Sequence, residues 1–319
     1  MNPKVSARSL TRRAAVGGLS ALGAAAVLRP TIAQAQEREH RFNVGAAEIT
    51  VLSDGTMAMP FSWVLPDREP AQIAAVFQDV GRSSSDASGQ TLQVNVALIR
   101  IGRELILVDS GAGPDFAPQR GKLTERMANA GIAPEAITQL IFTHAHPDHF
   151  WGAIDPLDGG PLFAKARHFM PVVERDYWLQ PGIEASMPEA VRGAALGTQR
   201  RLKELGDRIE TYKVGAEVAP GITALDTAGH TPGHVSLLLQ SGSSRLLIGG
   251  DVLTDAALSF ARPDWRWGAD ADADQAIAAR KRMLDLLATD KIPLLAYHVP
   301  WPGLGRVERS GAAYRFVAS

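Results

Sequence analysis

The chain has 319 residues, of which 45% are hydrophobic and 21% charged, so it can bury the core of a globular protein. Its formal net charge of −1 does not suggest the basic surface that nucleic-acid binding requires. It contains no cysteine, which excludes disulfides, thiolate metal ligands and cysteine nucleophiles and leaves histidine and carboxylate as the side chains able to hold a metal.

Residues 1–35 have the pattern of an export signal. Ser9-Leu10-Thr11-Arg12-Arg13 precedes an Ala/Gly-rich apolar run at 14–28, and Ala33-Gln34-Ala35 has the small-x-small form of a cleavage site. The paired arginines resemble a twin-arginine signal, which predicts a periplasmic or secreted protein. An uncleaved anchor is the alternative, but a membrane-spanning helix needs about 20 residues. We expect a mature chain at 36–319, with 28 basic and 34 acidic residues, no nucleic-acid partner and no stable membrane association.

The mature chain alternates strand-like and helical segments, which predicts an α/β or α+β protein. Apolar runs predict strands at 48–52, 92–101, 104–108, 137–142, 221–226, 235–240, 245–248, 294–296 and 314–317. Helical patterns cover 119–130, much of 171–205, and 271–287, where the acidic residues of 270–274 suit a helix N-terminus. No linker-like segment divides 36–319, so we predict a single domain.

The strongest chemical signal follows the strand predicted at 137–142. Thr143-His144-Ala145-His146-Pro147-Asp148-His149 places three imidazoles and a carboxylate within six positions. Alternate residues of an extended loop point the same way, so His144 and His146 can hold one ion while Asp148 and His149 project toward a second. Imidazole suits zinc, iron and nickel, whereas carboxylate favours harder ions such as manganese.

Three further metal-ligand types each follow an apolar run. His230 opens Gly229-His230-Thr231-Pro232-Gly233-His234, Asp251 follows Leu246-Leu247-Ile248-Gly249-Gly250, and His298 follows Leu294-Leu295-Ala296-Tyr297. Sites in α/β-type proteins collect at the carboxyl ends of strands, so these side chains are expected near the first cluster.

This order of motifs, with the preceding Leu107-Val108-Asp109-Ser110-Gly111, resembles the metallo-β-lactamase superfamily. The mature chain is most similar to its methyl parathion hydrolase-like group, from Leu52-Ser53-Asp54-Gly55-Thr56 to His298-Val299-Pro300-Trp301-Pro302-Gly303 and Tyr314-Arg315-Phe316-Val317. The resemblance implies an α+β fold, a four-layer αββα sandwich with the metals at one edge of two packed sheets. It also implies that the protein can form a homodimer.

The resemblance also implies a set of site residues. His144, His146 and His230 would bind one metal, Asp148, His149 and His298 a second, and Asp251 both. Zinc is the expected ion, with manganese, cobalt and iron as alternatives. A hydroxide bridging the two ions would attack the substrate, and Asp148 and Asp251 are the candidate catalytic residues, Asp148 by orienting the nucleophile.

Other candidates surround the ligands. Asp109 and His234 are expected to hydrogen-bond the ligands or their loops rather than bind metal. Aromatic residues in loops beside the motifs are candidates for an apolar substrate pocket, with loop packing as the alternative: Phe61, Trp63, Trp151, Phe260, Trp265, Trp267 and Trp301.

Hydrolysis of a small ester or phosphotriester is the predicted reaction, and lactone hydrolysis of the acyl-homoserine-lactone type is the alternative. Lactonases of this fold carry a tyrosine three residues after the bridging aspartate, where this chain has Thr254. A β-lactamase is disfavoured because Asp251 is present and cysteine absent. A thioester hydrolase and a mononuclear iron redox protein on the same fold are weaker alternatives.

Overall fold

In the computed structural model, which describes residues 39–116 and 121–319, fourteen strands form two seven-stranded sheets. The strands of the first sheet are β1 (Glu39–Val44), β2 (Ala47–Pro60), β3 (Gly89–Ile101), β4 (Glu104–Val108), β5 (Gln139–Ile141), β6 (Arg167–Pro171) and β7 (Ile209–Tyr212). Those of the second are β8 (Glu217–Ala219), β9 (Ile222–Asp226), β10 (Val235–Ser241), β11 (Ser244–Ile248), β12 (Leu294–Leu295), β13 (Leu304–Ser310) and β14 (Ala313–Ala318).

Both sheets mix parallel and antiparallel pairs. The first has the order β1-β2-β3-β4-β5-β6-β7 and the second β14-β13-β12-β11-β10-β9-β8. Strands β1 to β4 pair antiparallel and β4 to β7 parallel. In the second sheet β11 and β12 are parallel and their neighbours pair antiparallel. The predicted ligand segments begin at the carboxyl ends of β5 and β12, and each of these strands pairs parallel with a neighbour.

Eight α-helices lie in the described part of the chain. They are α1 (Phe61–Val64), α2 (Pro70–Asp79), α3 (Leu123–Asn129), α4 (Pro147–Phe150), α5 (Val172–Trp178), α6 (Glu189–Leu205), α7 (Leu258–Ala261) and α8 (Ala273–Asp290). Short 3₁₀ turns occupy Ser84–Ser88, Pro134–Ala136, Trp151–Ala153, Ile183–Ser186 and Gly206–Arg208. No helix in this part of the chain is long and apolar enough to cross a membrane.

Alternating side chains along the strands create the layers. In β4, Ile106 and Val108 point into a core shared by the two sheets, whereas Leu105 and Leu107 point outward against helices that include α3 and α6. On the far side, Leu247 and Leu294 pack on α8. The result is the predicted α+β arrangement, helices–sheet–sheet–helices, and it explains why Glu104–Val108 reads as a continuous apolar run.

A fourth apolar cluster was not predicted. Helices α1, α2 and α7 pack together around Phe61, Phe77 and Leu258, with Trp265 and Trp267 from the following loop.

The predicted strand 48–52 is also longer than expected, because β2 continues to Pro60 through an irregularity between Ser53 and Gly55.

Several element ends differ from the sequence predictions. Helix α3 begins at Leu123 rather than near 119, and the Leu123 amide donates to Asp54 Oδ1. Helix α8 begins at Ala273, where Asp272 caps it by accepting from the Gln275 amide. The short strands β1, β6, β7, β8 and β13 were not predicted. The export signal predicted for 1–35 lies outside the described residues.

Candidate metal centre

The side chains predicted to bind metal come together from five chain segments. The turn after β5 carries His144 and His146, and α4, which starts directly behind it, carries Asp148 and His149. The other three lie on the second sheet: His230 in the β9–β10 turn, Asp251 after β11 and His298 after β12. They form two groups of potential metal ligands, His144–His146–His230–Asp251 and Asp148–His149–His298.

The first cluster comprises His144, His146, His230 and Asp251. His146 Nδ1 lies 3.1 Å from His144 Nε2 and 2.9 Å from His230 Nε2. Asp251 Oδ2 lies 3.2 Å from His230 Nε2 and 3.9 Å from His144 Nε2. Three imidazole nitrogens and one carboxylate oxygen therefore face a common point, the donor number that a tetrahedral zinc site uses.

The second cluster comprises Asp148, His149 and His298, and Asp251 also reaches it. Asp251 Oδ1 lies 3.0 Å from His149 Nε2, and Asp251 Oδ2 lies 3.2 Å from His298 Nε2. His298 Nε2 is 3.5 Å from Asp148 Oδ2. The carboxylate of Asp251 thus stands between the two clusters, as a bridging ligand would.

For three of the histidines, hydrogen bonds on the far side of the ring fix which nitrogen faces the clusters. Nδ1 of His149 contacts Asp109 Oδ2 at 2.8 Å, Nδ1 of His298 contacts the Gln93 carbonyl oxygen at 2.6 Å, and Nδ1 of His144 contacts Thr143 Oγ1 at 3.1 Å. With Nδ1 engaged, Nε2 is directed inward. Such partners are typical of metal-binding histidines because they set the tautomer and hold the ring.

The donor set fits metal ions. His149 Nε2 and Asp251 Oδ1 are buried 3.0 Å apart, yet neither atom has a hydrogen-bond partner in the described structure. Unpaired buried polar atoms are costly, and a cation between them would satisfy both. Imidazole and carboxylate donors without thiolate suit zinc and related divalent ions. The clusters are therefore two His/Asp metal sites.

Burial and neighbouring charges set the protonation of the candidate ligands. Burial lowers the pKa of His144 and His146 well below the ordinary value, which leaves neutral rings able to bind metal. For His149 and His230 burial acts in the same direction, but neighbouring carboxylates outweigh it and raise the pKa, to about 9 for His230. Burial acts to raise the pKa of Asp251, yet the adjacent His298 and His149 hold it well below its usual range.

Asp109 lies beneath the first motif. Its Oδ1 accepts from the Thr143 amide and its Oδ2 accepts from the Thr143 hydroxyl, both at 2.8 Å, while Oδ2 also contacts His149. The residue is fully buried with φ 62°, a conformation that side chains other than glycine adopt rarely. This strained position at the end of β4 lets one carboxylate hold both the β5 turn and a ligand ring.

His234 holds the backbone of Asp251 by a hydrogen bond. Its Nε2 accepts from the Asp251 amide at 2.9 Å, and its Nδ1 lies 2.8 Å from Thr227 Oγ1. Burial lowers the pKa of His234 to about 3, so the ring stays neutral. Its place agrees with the predicted supporting role and puts it outside both ligand clusters.

Asp270 is a site residue that the sequence analysis missed. The acidic run 270–274 was assigned to a helix start, but α8 begins only at Ala273 and Asp270 lies before it. Its Oδ1 contacts His230 Nδ1 at 3.0 Å, and its Oδ2 accepts from Arg280 at 3.1 Å. Arg280 in turn donates to the carbonyl oxygens of Pro263 and Trp265. The third histidine of the first cluster is therefore held by a buried carboxylate–guanidinium pair.

The aromatic residues predicted for a substrate pocket divide by burial. Phe260 is fully buried and contacts Phe316, and Phe61 is buried against Phe77, so neither lines an open pocket. Trp265 and Trp267 are also buried, in the cluster of α1, α2 and α7. For these four the burial favours the alternative of loop packing over a pocket-lining role.

The remaining three aromatics reach the surface. Trp63 is 37% exposed. Trp151 is partly exposed, packs against Phe116 and donates to Thr198, and partly exposed Trp301 packs against the core between the sheets. A pocket-lining role stays a prediction for Trp63, Trp151 and Trp301.

Comparison with known families identifies a match over most of the described chain. The family model described as the metallo-beta-lactamase superfamily matches residues 89–292, a segment that contains six of the seven candidate ligands. His298 lies just beyond it, in the segment after β12.

Two solved structures are similar over nearly the whole fold. One is AidC, a dizinc quorum-quenching lactonase in complex with the product N-hexanoyl-L-homoserine, with a TM-score of 0.82, 26% identity, and coverage of 88% of this chain and 97% of that one. The other is the hydrolase AbOPH of the beta lactamase superfamily, with a TM-score of 0.80, 28% identity and the same coverages, 88% and 97%.

Curated relatives are N-acyl homoserine lactonases from Bacillus. The protein from a Bacillus species is 25% identical over 179 residues, which are 54% of this chain and 60% of that protein. The Bacillus cereus protein is 23% identical over the same length. The matched segment thus spans 60% of the length of these relatives.

Proposed function

The chain belongs to the metallo-beta-lactamase superfamily, and from that premise we propose that it is a lactonase acting on N-acyl homoserine lactones. The broader statement does not depend on the substrate: the protein is a metal-dependent hydrolase with two adjacent His/Asp metal sites. We assign His144, His146 and His230 to one ion, Asp148, His149 and His298 to the other, and Asp251 to both.

The likeness to AidC carries the choice of lactone. That structure is a dizinc lactonase in complex with the product N-hexanoyl-L-homoserine, and the match covers 88% of this chain at 26% identity. The curated relatives that match are N-acyl homoserine lactonases as well. These findings support the lactone alternative of the sequence analysis more strongly than the phosphotriester prediction.

The chain's own residues prepare the site for ester cleavage. Two bound divalent ions would lower the pKa of water and polarise the scissile carbonyl. Asp148 is suited to orient the attacking oxygen and to pass a proton to the leaving alkoxide, because it lies beside His298 and its own backbone carbonyl is fixed by the Tyr297 hydroxyl at 2.8 Å. Tyr297 also stacks on His149 with centroids 3.8 Å apart, which holds that ligand in place.

Position 254 supports a second candidate, a phosphotriester or aryl ester hydrolase. Lactonases of this fold carry a tyrosine there, whereas this chain has Thr254, whose amide donates to Ser259. Tyr297 does not replace the missing phenol, since it is buried and its hydroxyl donates to Asp148. Resemblance to the methyl parathion hydrolase-like group, including the Leu52–Thr56 motif, favours the same candidate.

A substrate panel separates the two candidates. Zinc-loaded protein would be assayed with N-hexanoyl homoserine lactone, a paraoxon-type triester and an aryl acetate, with Asp251→Asn as the inactive control. The lactonase proposal predicts the highest kcat/KM for the lactone. A higher kcat/KM for the triester, abolished by the same substitution, would overturn it in favour of the second candidate.

The export signal remains a proposal as well. We propose that residues 1–35 direct the folded protein to the periplasm and are removed, leaving 36–319 as one catalytic domain. Mass spectrometry of the protein recovered from a periplasmic fraction tests both points: a mature N-terminus near Gln36 is expected, and an intact N-terminus in the cytoplasm would contradict them.

A further inference from the structure

A buried carboxylate outside both ligand clusters contacts the loops that carry the histidines of the first cluster. Glu174, in the first turn of α5, is fully buried. It is neither a predicted ligand nor in either group of potential ligands. Burial acts to raise its pKa, and hydrogen bonds to the carboxylate act to lower it. A buried charge of this kind is costly unless its oxygens are well satisfied.

Four donors satisfy the two oxygens of Glu174. Oε1 accepts from the Ala145 amide at 2.9 Å and from Trp178 Nε1 at 2.6 Å. Oε2 accepts from the Thr231 hydroxyl at 2.6 Å and from the Gly233 amide at 3.0 Å. An ionised carboxylate has about four lone-pair positions, so its accepting capacity is filled.

Three of the four donors belong to the two loops that carry the histidines of the first cluster. Ala145 lies between His144 and His146, and Thr231 directly follows His230. These loops follow strands of different sheets, and Ala145 and Thr231 are 86 residues apart along the chain. Both loops nevertheless donate hydrogen bonds to the carboxylate of Glu174. Glu174 therefore holds the chain segments that flank all three histidines of the first cluster.

The loops also pack closely around Glu174. A Cβ on Gly233 would lie 2.1 Å from the Glu174 amide nitrogen, so only glycine allows this approach. The Ala145 carbonyl oxygen is held from the other side, because it accepts from Thr198 Oγ1 at 3.1 Å. Thr198 in turn accepts from Trp151 Nε1 at 2.9 Å. Both polar groups of the Ala145 backbone are thus fixed by buried side chains.

We propose that Glu174 is a positioning residue that holds His144, His146 and His230 at the separation a metal ion requires and thereby sets the affinity of the first metal site. The inference rests on the proposed function only through its two metal sites. An amide in place of the carboxylate has one accepting oxygen, so its NH₂ group would face N–H donors from one of the two loops. Loosening one loop separates donors that must converge on a single ion.

The experiment measures zinc affinity rather than turnover. Glu174→Gln, Glu189→Gln and the unmodified protein would be stripped of metal and titrated with zinc against a chromophoric chelator. Glu189 is the matched control because it lies in the first turn of the neighbouring helix α6 and is exposed. Each variant is also made in a His298→Ala background. Because this substitution weakens the second site, the zinc that still binds tightly is assigned to the first site.

The expected result is selective weakening of one site. Glu174→Gln raises the Kd of the first site by about 10-fold or more, the size of effect typical for residues that support metal ligands, and changes the second site by less than about threefold. Glu189→Gln changes neither. Equal weakening of both sites, or no change at either, would overturn the proposal, because a merely structural anchor has no preference between them.

A milder variant covers the case in which Glu174→Gln does not fold. Thr231→Val removes one donor to Oε2 and keeps the side-chain shape, while Thr231→Ser keeps the hydroxyl. The first-site Kd should rise about threefold or more in Thr231→Val and return in Thr231→Ser; equal affinities in the two would contradict the proposal. The test is separate from the lactonase assignment: protein that binds two zinc ions but opens no lactone refutes the function and leaves this inference standing.

Discussion

At the scale of single residues, the candidate ligands are held by partners distant in sequence. Asp109 contacts His149, Asp270 contacts His230, and the Gln93 carbonyl contacts His298, 205 residues away along the chain. The geometry of each ring is therefore a property of the folded molecule, and substitutions behind the ligands are expected to act through metal affinity.

Asp270→Asn tests the partner of His230. The amide cannot accept both from His230 and from Arg280, so zinc affinity of the first site is expected to fall about 10- to 100-fold. Competition with a chelator gives the Kd. Asp272→Asn is the control, because asparagine also caps a helix and Asp272 accepts only from the α8 backbone at Gln275. Equal Kd values for the two variants would rule out the assigned role of Asp270.

The buried histidine His168 in β6 should make the free energy of unfolding depend on pH. Burial, with the charge of Arg208 as a second cause, lowers the pKa of His168 to about 4, below the roughly 6.5 of an unfolded chain. The unfolded state therefore binds more protons between these values, so the stabilisation is complete above about pH 6.5 and is lost as pH falls toward 4. The full loss is about 3 kcal/mol.

His168→Gln removes this titration. Urea unfolding of metal-free protein at pH 7.5 and pH 4.5 gives the free energy of unfolding of both forms. The unmodified protein should lose more stability between the two pH values than the variant. An identical loss in the two would show that the ring does not titrate with folding.

The ligands were predictable at this scale because each ends an apolar run within a motif. Thr143–His149, His230 and Asp251 all follow strands that the sequence itself indicates. Asp270 and Glu174 carry no such local signal: their partners lie 40 and 57 residues away, and an acid near a helix start has a sufficient local explanation. Tertiary contacts of this kind cannot be deduced from periodicity.

At the scale of elements, Asp54 connects β2 to the segment after β4. Its side chain accepts from the amides of Ala112, Gly121 and Leu123, the last of which is the first residue of α3. This cap explains why α3 starts later than the sequence pattern suggested. It also gives a structural reason for the Leu52–Thr56 motif, whose aspartate lies inside the fold rather than at the metals.

Asp54→Ala should therefore destabilise the fold strongly. Two buried amides and one partly buried amide lose their acceptor, which is expected to cost about 3 kcal/mol in the free energy of unfolding. Asp79→Ala, at the exposed end of α2, should change it by less than about 0.5 kcal/mol. Urea unfolding in the presence of zinc checks both values. Similar small effects for the two would mean that other groups satisfy these amides.

Five strands and the α1–α2–α7 cluster were the elements that the sequence did not reveal; the strands are β1, β6, β7, β8 and β13. Strands β7 and β8 have four and three residues, too short for a period of two to stand out. Trp265 and Trp267 lie in a loop, and nothing in their spacing shows that Phe61 and Phe77 fold against that loop. Strands β3, β4 and β10 and helix α8 were predictable because their patterns are long and their ends are marked.

At the scale of the whole molecule, the metal sites join the two sheets. His144, His146, Asp148 and His149 follow β5 of the first sheet, while His230, Asp251 and His298 extend from the second. Bound ions would therefore connect the halves of the sandwich, so metal binding and global stability should be coupled.

Chelation should lower the thermal stability by an amount that depends on Asp251. A ligand at 100 times its Kd stabilises the folded state by about 2.7 kcal/mol per site, so removing two ions should lower Tm markedly. In Asp251→Asn, which lacks the carboxylate shared by both clusters, the same chelator should shift Tm much less. Equal shifts in both proteins would place the metals elsewhere.

The central claim, a two-metal lactonase, is tested most directly by titrating metal-free protein with zinc while following hydrolysis of N-hexanoyl homoserine lactone by acid release. Activity should rise with added zinc and reach its plateau at two zinc ions per chain. A plateau at one ion would contradict the two-metal mechanism, and no lactone hydrolysis with two ions bound would contradict the proposed function.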